Sequence, residues 1–218
     1  MRIFKVALAV LVAAAMGLVV LSSALAERGG TKNPKFQLFG TATDSVDPEN
    51  ATNEVLKINN TSDFGGVSRD LHKNTQAEEI DNQVQLKYFF AGTKTCILGS
   101  PRIQLAIDRD GDGNRDGNAF GYLGDKPFGG LCPPNAWTLE DMTNAQQKWD
   151  LSQLGGGMTL SWDQMEVFLR TASPNYQILR GTLVEDPGVG PGSSGITYFD
   201  NIVIGNRTIN DHSDTAGH

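Results

Sequence analysis

Histidine is nearly missing from this sequence. Of its three histidines, His212 and His218 fall in the polar C-terminal stretch, so only His72 lies in the body of the chain. A Ser-His-Asp triad or a histidine-based zinc site would depend on that one residue. Neither HExxH nor GxSxG occurs. Cysteine is equally scarce: Cys96 and Cys132 stand alone, with no CxxC and no histidine nearby, which disfavours a thiol nucleophile. Positive charge is also short, with 18 Lys and Arg against 25 Asp and Glu and a formal net charge of -7. That balance argues against nucleic acid or an anionic membrane surface as a partner. Past residue 26 no apolar run approaches the ~20 residues needed to span a bilayer. There is no internal repeat, no βαβ alternation and no linker that would divide the chain into two folded domains.

The one long apolar run is at the start. Arg2 and Lys5 precede an uncharged stretch from Val6 to Leu21, followed by Ser22-Ser23-Ala24-Leu25-Ala26. A positive n-region, an apolar h-region and an Ala-x-Ala site read as a secretory signal peptide over residues 1–26, the alternative being an uncleaved signal anchor. Export places the protein in the secreted or extracellular-surface compartment, where an isolated cysteine pair is expected to form a disulfide between Cys96 and Cys132. Residues 27–35 read as a flexible leader, 36–206 as a single folded domain and 207–218 as a disordered tail.

What is abundant is acid and glycine in one place: Asp108-Arg109-Asp110-Gly111-Asp112-Gly113-Asn114-Arg115-Asp116-Gly117-Asn118. Carboxylates this close repel one another unless something positive sits among them. A hard cation that takes six to eight oxygens, Ca²⁺ above all, suits Asp108, Asp110, Asp112, Asn114 and Asp116 as ligands. Glycines at 111, 113 and 117 supply the positive φ that a chain wrapped round an ion needs. Asp108, Asp110, Asp112 and Gly113 fit the EF-hand register, but the twelfth position is Ala119 rather than Glu, and the flanks read as strands. The expectation is a DxDGDG-type cation loop between two strands, against the plainer reading of a Gly/Asp/Asn-rich hairpin turn.

Period-two alternation marks the main strands. Val84, Leu86, Tyr88 and Phe90 share one face of Gln83–Phe90; Ile103, Leu105 and Ile107 share one face of the strand running into Asp108; Phe120 and Tyr122 are expected to pack inward from the strand after the loop. Further strands are read at Phe36–Gly40, Glu54–Asn59, Tyr176–Val184 and Ile196–Gly205. Thr41–Asn53 reads as a turn-rich loop, Asn59–Lys73 as an exposed loop, and Gly124–Gly157 as irregular. Asn50, Asn59, Asn60 and Asn206 each begin a glycosylation sequon, which supports surface exposure. Ser161 with Gln164 forms a capping box, and Trp162, Met165, Phe168, Leu169 and Ala172 recur at helical spacing, so the spacing predicts one helix from Trp162 to Ala172, ended by Pro174.

Three motifs carry less. Glu79-Ile80-Asp81 could open a strand bearing paired carboxylates for glycoside hydrolysis, but Gln83 and Val84 stand where a third acid would complete the pair, so the reading is a solvated strand start. Gly190 to Gly195 formally matches GxGxxG but leads into a strand and contains Pro191, so it reads as a loop. Trp137 and Trp149 lie in loops beside acids and are the platform candidates for stacking on a sugar ring, with burial as the competing reading.

The last strand, Ile196-Thr197-Tyr198-Phe199-Asp200-Asn201-Ile202-Val203-Ile204-Gly205, preceded by Val184-Glu185-Asp186-Pro187-Gly188, resembles the closing strand of secreted jelly-roll sandwiches of the galactose-binding-like and carbohydrate-binding-module type. The resemblance spans about twenty residues and carries no ligand-binding residue across. It implies a two-sheet antiparallel fold, a structural Ca²⁺ in many members and glycan binding in many but not all. Several short strands and one helix agree with an all-β, antiparallel jelly-roll β-sandwich. The expected function is a non-catalytic, calcium-binding extracellular module that recognises a glycan or cell-surface polysaccharide. The alternatives are a structural or adhesive surface protein stiffened by calcium and a sandwich-fold glycoside hydrolase.

Overall fold

Alternating apolar residues become strands here because two facing sheets give each inward row a place to be buried. In the computed structural model, residues 35–96, 100–124, 132–188 and 192–209 are described. The signal-peptide reading, most of the leader and the tail from residue 210 onward lie outside them. The elements are β1 (Gln37–Gly40), β2 (Ala42–Val46), β3 (Glu54–Asn59), β4 (Gly65–Asp70), β5 (Val84–Phe90), β6 (Arg102–Asp108), β7 (Gly117–Tyr122), β8 (Thr138–Asp141), β9 (Trp149–Asp150), α1 (Trp162–Ala172), β10 (Gln177–Glu185), β11 (Ile196–Ile204) and β12 (Thr208–Ile209).

One sheet runs β1-β4-β10-β6-β7-β9; the other runs β2-β3-β11-β5-β8, with β12 added to β11. Every named pairing is antiparallel. Within them, β4-β10-β6-β7 and β3-β11-β5-β8 are the two interleaved four-stranded halves of a jelly roll, in which only β6 and β7 are consecutive strands paired in the same half. The acidic loop is therefore the tip of the β6–β7 hairpin, set by the register Ile107 opposite Gly117. Its base is held by Ile103, Leu105 and Ile107, each fully buried; each such aliphatic side chain contributes about 1.5–3 kcal/mol on burial.

The helix has the bounds its spacing predicts, with the Ser161–Gln164 capping box in place and Trp162, Met165 and Leu169 buried. Several expectations change. The region Thr41–Asn53 contains β2, paired along β3, and the supposed exposed loop Asn59–Lys73 contains β4, which is inserted between β1 and β10 and almost wholly buried. Gly65, Gly66 and Ser68 give β4 little apolar signal, and Arg69, buried at 1% exposure, would read as surface. Its guanidinium instead bonds the Ile204 carbonyl and Asn206 Oδ1 and lies over the Phe36 ring. The irregular stretch 124–157 holds β8 and β9. In β7 the inward residues are Ala119 and Gly121; Phe120 and Tyr122 point outward, half-buried and stacked on each other with ring centroids 6.4 Å apart. The tail reading begins too early, because Thr208 and Ile209 pair with β11 and Ile209 is buried.

Candidate metal site and ligand face

At the β6–β7 tip the chain reverses through Gly111 and Gly113, at φ 80° and 90°, where a side chain would be strained. Gly117 is different. Its φ is not positive, and its role is space, because a Cβ there would stand 2.7 Å from Leu154 Cδ2. The reversal brings Asp108, Asp110 and Asp116 together, each offering one carboxylate oxygen, all within 4.8 Å of one another. Oxygens that share a Ca²⁺ at about 2.4 Å can be no farther apart than about 4.8 Å, a condition these three meet. The remaining oxygens of a six- to eight-fold shell would be carbonyls, second carboxylate oxygens or water.

Asp108 is the fixed member. It ends β6 at 0% exposure, and its carboxylate accepts from Gly111 N at 2.8 Å, Gly113 N at 2.7 Å and Gln177 Nε2 at 2.7 Å. Burial alone would raise its pKa; hydrogen bonds from Gly113, Gln177 and Gly111 outweigh that and hold it below the ordinary value, so it stays charged. Asp116 accepts from the Arg109 backbone N–H at 2.7 Å, closing the opposite side of the tip. Asp110 and Asp116 are exposed, which leaves the cluster open to solvent on one side.

The other two expected ligands, Asp112 and Asn114, bond each other. Asp112 accepts from Asn114 N at 2.7 Å and Asn114 Nδ2 at 3.0 Å, so this pair closes its own turn, and Asp112 is outside the carboxylate cluster. Both flanks are strands and the twelfth position, Ala119, is a core residue, which agrees with a hairpin loop rather than an EF-hand. Beside the tip runs a groove of about 310 Å³ lined by His72, Lys73, Gly111, Asp112, Gln177 and Leu179. His72 thus lies next to the loop without belonging to the carboxylate cluster.

The two tryptophans part company. Trp149 is fully buried, its ring 5.3 Å from that of Trp162 and its Nε1 donating to the Met142 carbonyl at 2.9 Å. It is core and presents no face to a ligand. Trp137 is half-exposed on the outer side of the second sheet, with Nε1 donating to Asp47 Oδ1 at 3.1 Å. Its ring meets Phe89 at 5.6 Å, and Phe89 meets Tyr198 at 6.1 Å. Tyr198 stands opposite both Phe89 and Lys57 in register, so Lys57, Tyr198, Phe89 and Trp137 form a row across this outer face. Phe89 is itself buried, at 7% exposure, so Trp137 and Tyr198 are the aromatic rings of this row that reach the surface.

Asp200, on the same outer side as Tyr198, accepts from Asn201 N at 2.7 Å and is not part of the carboxylate cluster. Glu79 lies in a 3-10 turn, Ala77–Glu79, where its carboxylate accepts from Gln76 N; it does not start a strand. Comparison with protein-family models, curated proteins and solved structures finds no match to this chain.

Proposed function

We propose that this protein is a non-catalytic extracellular recognition module, in which Ca²⁺ bound by Asp108, Asp110 and Asp116 stiffens the β6–β7 hairpin and a carbohydrate is the ligand. The observation that carries the reading is the meeting of those three carboxylates at one strand-anchored tip. A plain turn needs only Gly and one Asx residue, so three converging carboxylates exceed what the turn itself requires. The carbohydrate class is supported by the outer-face row. Sugar rings present C–H faces that stack on aromatic rings while their hydroxyls bond flanking polar groups, and the half-buried Trp137 and Tyr198, bridged by the buried Phe89, lie between Lys57 and Asp47.

A glycan array probed with the purified protein tests this. Binding to at least one polysaccharide class is expected, and Trp137→Ala should reduce it at least tenfold while leaving the melting temperature within a few degrees, since the residue is half-exposed. Binding unaffected by Trp137→Ala would move the ligand elsewhere, and an array without signal would leave the structural or adhesive reading. That second reading has its own support: Asp108, the buried ligand, is tied to the core through Gln177, so a bound ion would brace the sandwich as well as the loop.

A further inference from the structure

At one end of the sandwich, three chemically matched side chains meet between the sheets. Asn60 continues the inward row of Leu56 and Ile58 one step past β3 and is 1% exposed. Lys94 follows β5 at 2% exposure, and Glu185 closes β10 at 1%. Lys94 Nζ lies 2.8 Å from Asn60 Oδ1 and 2.6 Å from Glu185 Oε1, with the Phe90 ring centroid 6.0 Å away. The carboxamide is fixed: Nδ2 donates to the carbonyls of Asp186 at 2.8 Å and Ser193 at 2.9 Å, and Oδ1 also accepts from Gly195 N at 2.9 Å. Glu185 Oε1 accepts from Thr197 Oγ1 at 2.9 Å, whereas Oε2 is buried without a hydrogen-bond partner among the described residues. An ion pair so deeply desolvated roughly breaks even in stability, and an orphan carboxylate oxygen adds a cost. Stability alone is therefore a weak reason for the arrangement.

We propose that Lys94 and Asn60 become joined by an intramolecular amide bond, Nζ to Cγ, with Glu185 as the proton carrier. Proton transfer within the ion pair yields the free amine and the carboxylic acid. Burial, the main cause, lowers the Lys94 pKa and raises that of Glu185 to about 7, so both neutral forms are accessible. The Nζ lone pair adds to Asn60 Cγ, and the carbonyl π pair moves to Oδ1, where the Gly195 N–H stabilises the developing oxyanion. The Glu185 carboxyl gives its proton to Nδ2; the Cγ–Nδ2 bond breaks and ammonia leaves as the carbonyl reforms. The carboxylate then takes the surplus proton from the new amide nitrogen. No oxidant, metal or cofactor enters; Glu185 is left as the carboxylic acid and returns to the carboxylate of the starting ion pair by passing that proton to the departing ammonia, which leaves as ammonium. Alignment substitutes for activation of the amide, because neither reactant has freedom to leave. The product would cross-link β3 to the segment after β5 independently of the Cys96–Cys132 bridge nearby.

Peptide mapping by mass spectrometry of the full-length, disulfide-reduced protein tests this. The expected result is a branched peptide containing both Asn60 and Lys94, lighter than the sum of its two linear parts by one ammonia. Two linear peptides with unmodified Asn60 and Lys94 would overturn the proposal on the wild-type protein alone, whatever the variants do. Lys94→Arg should abolish the branch, and Glu185→Gln should abolish or strongly slow it; a branch formed at the wild-type rate in Glu185→Gln would overturn the proton-carrier role. These outcomes do not depend on calcium or glycan binding.

Discussion

Trp149→Ala is expected to destabilise the domain by about 3–5 kcal/mol, the range for truncating a fully buried Trp, which lowers the melting temperature by on the order of 10 °C in a domain of this size. Three contacts concentrate the loss. The indole packs edge-on against Trp162 and so couples the β7–β9 edge to helix α1. Its Nε1 satisfies the buried-side carbonyl of Met142. Its six-membered ring also fills the space that Gly121 leaves open, where a Cβ would approach Trp149 Cη2 to 3.0 Å. Thermal unfolding of Trp149→Ala and Trp137→Ala side by side separates the two roles: the first should lose most of its stability margin, the second should keep its fold. Equal, small shifts in both would mean that Trp149 is not the packing centre described above.

Removing the disulfide should cost nearly as much. Cys96 and Cys132 are bonded across 36 residues with Cα atoms 5.3 Å apart, and closing a loop of that length removes about 4 kcal/mol of unfolded-state entropy on the chain-entropy model. The enclosed loop contains β6, the acidic tip and β7, so the bridge restrains the hairpin that presents the carboxylates. Local hydrogen bonds share the work: Asn135 and Gly92 exchange a reciprocal pair at 2.8 Å each, and Cys132 N donates to Thr95 Oγ1 at 3.2 Å. Denaturant unfolding of Cys96→Ser/Cys132→Ser should show a lower midpoint with an unchanged or larger m-value. A midpoint equal to that of the wild type would show that the hydrogen bonds hold this end unaided.

Strand β6 and the first part of β5 were legible because they bury alternate residues, so period two survives in the residue order, whereas β11 was legible as an apolar, β-branched run. Helix α1 was legible to the residue because Ser161 and Gln164 mark its start chemically. Strands β2 and β4 were not. In β2 the buried face shows only as Ala42, and Val46 at the other end is 51% exposed; in β4 the interior carries glycine, serine and an arginine whose charge is satisfied by a carbonyl far along the chain. Trp137 and Trp149 both sit among acids in irregular stretches, and nothing local distinguishes the one that crosses to Asp47 from the one that enters the core. Equal spacing likewise made Asp112 and Asp116 look alike. The difference arises from the turn, which aims Asp112 at Asn114 and Asp116 at the start of the loop. Asn60 began a glycosylation sequon and read as surface, yet its side chain is buried between the sheets. Its partners Lys94 and Glu185 come from distant strand ends, a proximity no local pattern encodes.

Calcium binding at the hairpin tip is tested most directly by the melting temperature in millimolar Ca²⁺ against EDTA, with titration calorimetry on the same samples. A ligand bound only to the folded state stabilises it by RT ln(1 + [L]/Kd), about 2.7 kcal/mol at a hundredfold excess over Kd. The wild type should melt several degrees higher with Ca²⁺; Asp110→Ala and Asp116→Ala should lose that gain, while Asp112→Ala, outside the carboxylate cluster, should retain most of it. No heat on titration and identical melting in Ca²⁺ and EDTA would contradict a metal site here and reduce the loop to an acidic turn.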